Sequence, residues 1–376
     1  VNYFDYAATT PIAQDVLTAY NQVAKEYWGN TNSLHDIGSK AAGLLEHCRK
    51  ELAGHFHVQE KGIHFTSGGT EGNHISILSL AMSLRHKGNH IITSMAEHSS
   101  VHAVLEFLTT IGFNITKIPY TSNGHIDIQA LEKAIDDETV LITIGHTNGE
   151  IGSIQPLEQI RKLIGSRSIF LHSDFVQSFG KVDLKKEANL VDSFTISSHK
   201  VYGPKGVGAI YMNPTLDIKP YMPLQTHENG FRGGTINVPG IAGFLVASER
   251  IDLQGKSQHY SQLRSLFLNT LRSDHFVTVE VIEGEHQMPQ VVGLCFEGIQ
   301  GQWLMLECNR LGYAISTGTA CQVGKQAPSK TIEAMGLSQQ KALEFIRISF
   351  GEDTTEQDVK SLAEALFGIV REFTRK

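Results

Sequence analysis

The sequence predicts an α/β protein: a large unit with a mostly parallel sheet sandwiched by helices, and a smaller α+β unit beside it. Three features point there. From about residue 60, short apolar runs alternate with longer amphipathic ones, as expected when parallel strands are joined by crossover helices. Small polar or charged residues sit just past five of those apolar runs, which in a parallel sheet is the edge where ligands bind. Past about residue 250 the alternation stops, and long helical stretches enclose short β-like runs.

The elements follow in order. "GIHFTS" reads as a strand, "TEGNHISILSLAMSLRHKG" as a helix and "HIITSM" as a strand. "SVHAVLEFLTTIG" is helical, "NITKIPY" extended and "DIQALEKAIDD" helical. "TVLITIGHT", "PLEQIRKLIGS" and "IFLHSDF" complete the series as strand, helix and strand. Turn residues in "KGN", "SNG" and "GSRS" punctuate them. The later helices are "QHYSQLRSLFLNTLRS" and "TTEQDVKSLAEALFGIVREF", with "QVVGLCFEG" and "FIRISF" as strands between. The expected division is a large domain over 15–255, and a small domain made of 1–14 with 256–376.

Bulk properties bound the function. The chain has 376 residues, 41% hydrophobic and 19% charged, enough apolar material for a substantial core. A net charge of −7 without a basic run argues against a nucleic-acid surface. No stretch approaches the roughly 20 apolar residues of a membrane span, and "VNYFDYAATTP" lacks the features of a signal peptide. Cys48, Cys295, Cys308 and Cys321 are widely spaced, so neither a disulfide framework nor a zinc motif is expected. A cytoplasmic protein is expected, where a thiol can persist as a working group. His98 and His102, four apart, are the tightest metal-like pair, but no third ligand lies nearby in sequence, and no metal site is expected.

Three motifs carry chemistry. "TSGGTEGN" (66–73) is a glycine-rich turn opening a helix, whose N–H groups and Thr70 hydroxyl can receive a phosphate or simply make a tight turn. "HSDFVQSFG" (172–180) sets Asp174 at a strand end, either as a capping residue or as the partner of a protonated pyridine nitrogen, with Gln177 in reach of the same ring. "SSHKVYGPKG" supplies Lys200, an amine able to form a Schiff base, preceded by Ser198 and His199 as phosphate donors.

Taken together, "YFDYAATTP", "GNTNSLH", "TSGGTEGN", "EHSS", "HTNGEIG", "SDFVQSFGK", "SSHKVYGPKGVGAIY", "FRGGTINVPGIAG", "STGTAC" and "IRISFG" run nearly end to end. In this order and spacing the sequence resembles the cysteine desulfurases, the NifS-like branch of the class V, fold type I enzymes that use pyridoxal 5'-phosphate (PLP). The resemblance implies that Lys200 holds the cofactor, Asp174 its pyridine nitrogen and Gln177 its ring hydroxyl, with His98 stacked on the ring. Thr70, Ser198 and His199 would hold the phosphate, joined by Thr235 of a second subunit in a homodimer, and Gly69 and Glu71 are also implied to bind the cofactor. Asn148 and Arg347 would clamp the carboxylate of L-cysteine. Cys321, on a loop at about 316–330, would take the substrate's sulfur as a persulfide and pass it to a protein acceptor, such as an iron–sulfur cluster assembly protein. Lys200, Cys321 and His98 are the implied catalytic residues.

The sequence departs from the family pattern in places. "LQTHE" (224–228) stands where a glycine-rich "GGGQE" is usual, so His227 replaces a glutamine, and "TNG" (147–149) replaces an "NNE"-type opening. These changes touch substrate access and partner choice. The competing readings are a selenocysteine lyase or another class V aminotransferase-type enzyme on the same scaffold, and a cofactor-free binding homologue. Retention of Lys200, Asp174 and Cys321 together counts against the last.

Overall fold

The computed structural model describes residues 1–222, 226–273, 278–317 and 328–374. The chain starts with a two-residue strand, β1 (Asn2–Tyr3), followed by helices α1 (Gln14–Glu26) and α2 (Asp36–Phe56). Strand β2 (Ile63–Thr66) leads into α3 (Gly69–Ser83), and β3 (His90–Ser94) into α4 (Ser99–Thr110). Then come β4 (Asn114–Ile118), β5 (Thr139–Thr143), β6 (Phe170–Asp174), β7 (Ser193–Ser197) and β8 (Gly208–Met212).

Strands β2 to β8 form one seven-stranded sheet in the order β2-β8-β7-β6-β5-β3-β4. Five of them, β7-β6-β5-β3-β4, run parallel, while β8 is antiparallel to both β7 and β2. Strand β2 therefore points the same way as the parallel set. The carboxyl ends of β2, β3, β5, β6 and β7 all emerge on one edge, and the five polar segments of the sequence follow those ends.

Burial on both faces explains the sequence of these strands. Every residue of β3, β5 and β7 is buried, so they read as apolar and β-branched runs rather than alternating ones. Helix α3 is also buried over most of its length. Gly72 lets it approach the sheet: a Cβ there would lie 2.6 Å from Thr195 Cγ2. Gly68, just before the helix, has φ 146°, a conformation that suits only glycine at this turn.

The remaining strands are β9 (Val279–Ile282), β10 (Val291–Phe296), β11 (Tyr313–Ala314) and β12 (Phe345–Ser349). Strands β12-β10-β9 form an antiparallel sheet, and β1 pairs with β11. This sheet packs with the helices Leu253–Arg272 and Glu356–Thr374 through a core containing Phe267, Leu294, Ile346 and Leu362. Phe4 is fully buried in the same core, so the N-terminal segment belongs physically with the C-terminal part of the chain. It also carries Asp5, Ala7 and Ala8 to the edge of the large sheet.

A buried ion pair anchors the end of the departing segment 224–228. Residues 224 and 225 lie outside the described residues, but Glu228 accepts from both terminal nitrogens of Arg49, at 2.8 and 3.0 Å, and from the Phe65 N–H at 2.7 Å. His227 meets Asn32 of "GNTNSLH", with Nδ1 2.9 Å from Asn32 Nδ2. With both groups of the pair buried, removing one partner would strand the other charge, which costs about 3–5 kcal/mol. The pair therefore holds this segment against α2 and β2.

Candidate active site

A cavity of about 460 Å³ opens at the carboxyl edge of the large sheet, inside the range of small-ligand sites, about 300–1,000 Å³. It gathers Gly69, Thr70, His98, Asn148, Asp174, Gln177, His199, Lys200 and Arg347 from six separate segments. Lys200 closes the turn Ser198–Lys200 directly after β7. Its Nζ donates to the carbonyl oxygens of Ala7 at 2.5 Å and Ala8 at 2.8 Å. The amine is thus held at the junction of the N-terminal segment and the sheet.

Asp174 is the last residue of β6. Its Oδ2 accepts from Asn73 Nδ2 at 2.7 Å and its Oδ1 from the Val176 N–H at 2.8 Å. These two donors fix the orientation of the carboxylate. Asn73 also donates to Ser100 Oγ at 2.9 Å, and that hydroxyl lies 2.8 Å from His98 Nδ1. His98 caps α4, its Nδ1 accepting from the Ser100 N–H at 3.2 Å. Nδ1 is therefore the bare nitrogen, and Nε2 carries the proton of the neutral ring. Loss of solvation holds the His98 pKa below its ordinary value; Asp174 opposes this, and Lys200 and Lys330 reinforce it.

Beside this cavity lies a second hollow of about 340 Å³, lined by Thr9, Gly69, Thr70, Ser197, His199 and Lys205 among others. It sits at the N-terminus of α3, whose first N–H groups have no helical partner. His199 Nδ1 is 3.0 Å from Thr9 Oγ1, and burial, with Lys200 next, holds its pKa down to about 4. The buried Ser197 Oγ has no hydrogen-bond partner. An orphaned hydroxyl, a helix start and a lysine make a donor set for a phosphate monoester, so the residues present fit the phosphate end of PLP.

Here the structure differs from the sequence expectation. Ser198 lines neither hollow; a Cβ on Gly203 would meet its Oγ at 2.0 Å, so that hydroxyl faces the Gly203 turn. Strand β7 ends at Ser197, which faces the Gly68–Gly69 turn before α3, and the backbone then turns at Ser198 and carries its side chain to Gly203. Glu71 borders the hollow, but its carboxylate is committed to the Ser67 N–H and to Arg232 Nε, at 3.1 and 3.0 Å. It braces the turn. Thr235 is exposed and lines neither hollow of its own chain. Cys321 lies outside the described residues.

The opposite end of the cavity carries a buried arginine. Arg347, on β12, is 5% exposed. It donates to Gly149 O at 3.0 Å and to Asp5 Oδ1 at 2.6 Å, while its buried Nε has no partner. Asn148 accepts from the N–H groups of Glu150 and Ile151 and donates to Thr331 Oγ1 at 2.9 Å. Glu150 accepts from Ser329 Oγ, and burial raises its pKa. Asp5 and Asn73 carry no local signal of a role; only the tertiary fold brings them to Arg347 and Asp174.

Glu97 was also missed. It is 6% exposed, accepts from Ser94 Oγ at 2.6 Å and from the Gly145 N–H at 2.9 Å, and thereby ties the end of β3 to the end of β5. Burial lifts its pKa to about 7, with Asp174 adding to the rise. A carboxyl whose folded pKa exceeds its unfolded one loses stability for the protein as pH rises from the unfolded value towards the folded one. Glu97→Gln should therefore gain stability relative to wild type between about pH 4.5 and 7, by a few kcal/mol at most. Urea unfolding of both proteins across that window measures it; a difference that does not change with pH would contradict the assignment.

This sheet order, with a lysine following one central strand and an aspartate ending its neighbour, is the architecture of the fold type I PLP enzymes. The aminotransferase class-V family model matches residues 2–362, and the chain belongs to that family. It is 42% identical over 364 residues to the putative cysteine desulfurase NifS of Bacillus subtilis (strain 168), covering 96% of this chain and 92% of that one. A solved NifS-like protein superposes with a TM-score of 0.90 at 30% identity, covering 98% and 99% of the two chains. SspA, solved in complex with cysteine, gives a TM-score of 0.82 at 32% identity over 93% of this chain and 98% of its own. The class V aminotransferases and cysteine desulfurases depend on PLP.

Proposed function

We propose that this chain is a PLP-dependent cysteine desulfurase that removes sulfur from L-cysteine, releases L-alanine and carries the sulfur as a persulfide on Cys321. The observation that carries the reading is the shared cavity, with the Lys200 amine, Asp174 and a buried arginine that retains an unpartnered Nε. Among the relatives, the cysteine bound to SspA and the desulfurase named in Bacillus subtilis point to the same substrate.

In this reading Lys200 holds the cofactor, and Ser197, His199, Thr70 and the Gly69 N–H receive its phosphate. When bound, PLP supplies an aldehyde that condenses with amines and a ring that stabilises the electron pair left at the substrate's Cα. Asp174 keeps the proton on the ring nitrogen, and Gln177 faces the ring hydroxyl. Arg347 and Asn148 bind the substrate carboxylate, an arrangement suited to a planar guanidinium. The Lys200 Nζ takes the Cα proton, and His98 Nε2 holds a proton at the cavity wall. The Cys321 thiolate attacks the substrate's sulfur; a sulfur–sulfur bond forms, the carbon–sulfur bond breaks, and its electron pair stays with the carbon skeleton, which is protonated and leaves as L-alanine.

In this reading the chain divides into a large PLP-binding domain (15–255) and a small one (1–14 and 256–376), the latter including Cys321. The protein acts as a homodimer in which Thr235 of the second subunit meets the phosphate, and it passes sulfur to a protein acceptor in the cytoplasm. Among the described residues no helix is long and apolar enough to cross a membrane.

The test is stoichiometry. Purified protein with PLP, L-cysteine and a reductant should release L-alanine and sulfide in equal amounts; turnover of L-selenocysteine alone would favour the lyase reading. Arg347→Lys, which loses the fork of donors, should raise KM for L-cysteine by about 30-fold with a smaller change in kcat. An unchanged KM would remove Arg347 from the clamp.

A further inference from the structure

A second lysine faces the same place from behind. Lys181 follows Gln177 by four positions in the turns after β6, and its Nζ donates to Gln177 Oε1 at 3.1 Å. Gln177 in turn donates from Nε2 to Ala7 O at 2.9 Å, the carbonyl that also receives Lys200 Nζ. Lys181 and Lys200 both line a small cavity of about 40 Å³, room for one or two water molecules. No role follows for Lys181 from the desulfurase mechanism, and a lysine has no reason to be drawn into this wall by packing alone.

An amide side chain can sit either way round, and its neighbours decide which end faces which group. The protonated amine can only donate, so below about pH 7 Lys181 holds the Gln177 carbonyl backwards, while the Ala7 carbonyl draws the NH₂ forwards. Gly149 closes the remaining side: a Cβ there would lie 2.9 Å from Gln177 Nε2. We propose that Lys181 is a positioning residue that fixes the Gln177 amide with its donor turned towards the ring oxygen of PLP, and so tunes the acidity of the lysine-bound cofactor. This rests on the desulfurase reading only in that PLP occupies the cavity. The charges acting on Lys181, Lys200 and then Arg347, are both positive, and burial ahead of them brings its pKa down to about 7. Arg250, Lys256, Glu352 and Tyr6 face it across the small cavity.

A donor to the ring oxygen stabilises its anion and lowers the basicity of the neighbouring nitrogen. With that donor lost, the nitrogen should hold its proton to higher pH. The experiment is a pH titration of the visible absorbance of PLP-loaded holoenzyme, without substrate. Lys181→Met should raise the midpoint by about one unit, and Lys181→Arg, which can still only donate, should stay near wild type. In a Gln177→Leu background Lys181→Met should add almost nothing, because the residue acts through that amide. Asp174, Glu97 and His98 are the same in every variant. A wild-type midpoint in Lys181→Met would overturn the proposal. So would an equal shift in both backgrounds, since Lys181 would then act on Lys200 directly. If Lys181→Met does not fold, a midpoint in Lys181→Arg shifted as far as in Gln177→Leu would overturn it as well. Failure of the wild-type protein to bind PLP at all would instead count against the desulfurase reading.

Discussion

Lys200→Ala is expected to yield a folded protein that has lost the visible absorbance of lysine-bound PLP and forms L-alanine on the order of 10⁴-fold more slowly. The size follows from two roles on one atom: Nζ attaches the cofactor and accepts the Cα proton. Stability should change far less. In the absence of cofactor the amine donates to the Ala7 and Ala8 carbonyls, and losing such charge-assisted bonds costs about 1.5–3 kcal/mol. Absorbance, alanine release and thermal unfolding of the same preparation separate the two effects. Retention of the visible band in a folded Lys200→Ala protein would transfer the attachment to another amine, and Lys181 is the neighbouring candidate.

Cys321→Ala should divide the reaction elsewhere. PLP binding and the spectral response to L-cysteine depend on Lys200, Asp174 and Arg347 in the cavity, so both should persist. Alanine and sulfide formation should fall to background. The other three cysteines provide the control. Cys48, Cys295 and Cys308 are buried, and burial pushes each thiol up to about 12, which leaves almost no thiolate to attack sulfur at neutral pH. Alanine replacements there should keep the activity and show only modest losses of stability. Wild-type alanine formation by Cys321→Ala would exclude a persulfide on that residue.

Much of this was legible in the sequence because a parallel sheet writes itself plainly. Buried strands read as apolar runs, and the residues after "HFT", "IITS", "ITI", "LHSD" and "TIS" fall together because the strands share a direction. Lys200, Asp174, His98 and Gln177 converge for that reason. Ser197 and Ser198 were harder: adjacent serines look alike as letters, and the point where β7 ends and the turn begins decides which one meets α3. Glu71 is named for the cofactor by its motif, whereas Arg232, 161 positions away, claims its carboxylate. Asp5 and Asn73 acquire their roles through contacts 342 and 101 residues distant, and Glu97 through a bond from Gly145. Local pattern carries no information about such pairings. The reversed strand β8 was also unmarked, since a fully buried strand reads the same in either direction.

The central claim is that sulfur leaves L-cysteine for Cys321, and one measurement tests it most directly. PLP-loaded protein is mixed with L-cysteine carrying labelled sulfur, without reductant, and quenched within the first turnover for peptide mass analysis. The account predicts one labelled sulfur atom on the peptide containing Cys321, none on those containing Cys48, Cys295 or Cys308, and one L-alanine for each sulfur bound. L-Alanine released with Cys321 unmodified, or label on another cysteine, would contradict it.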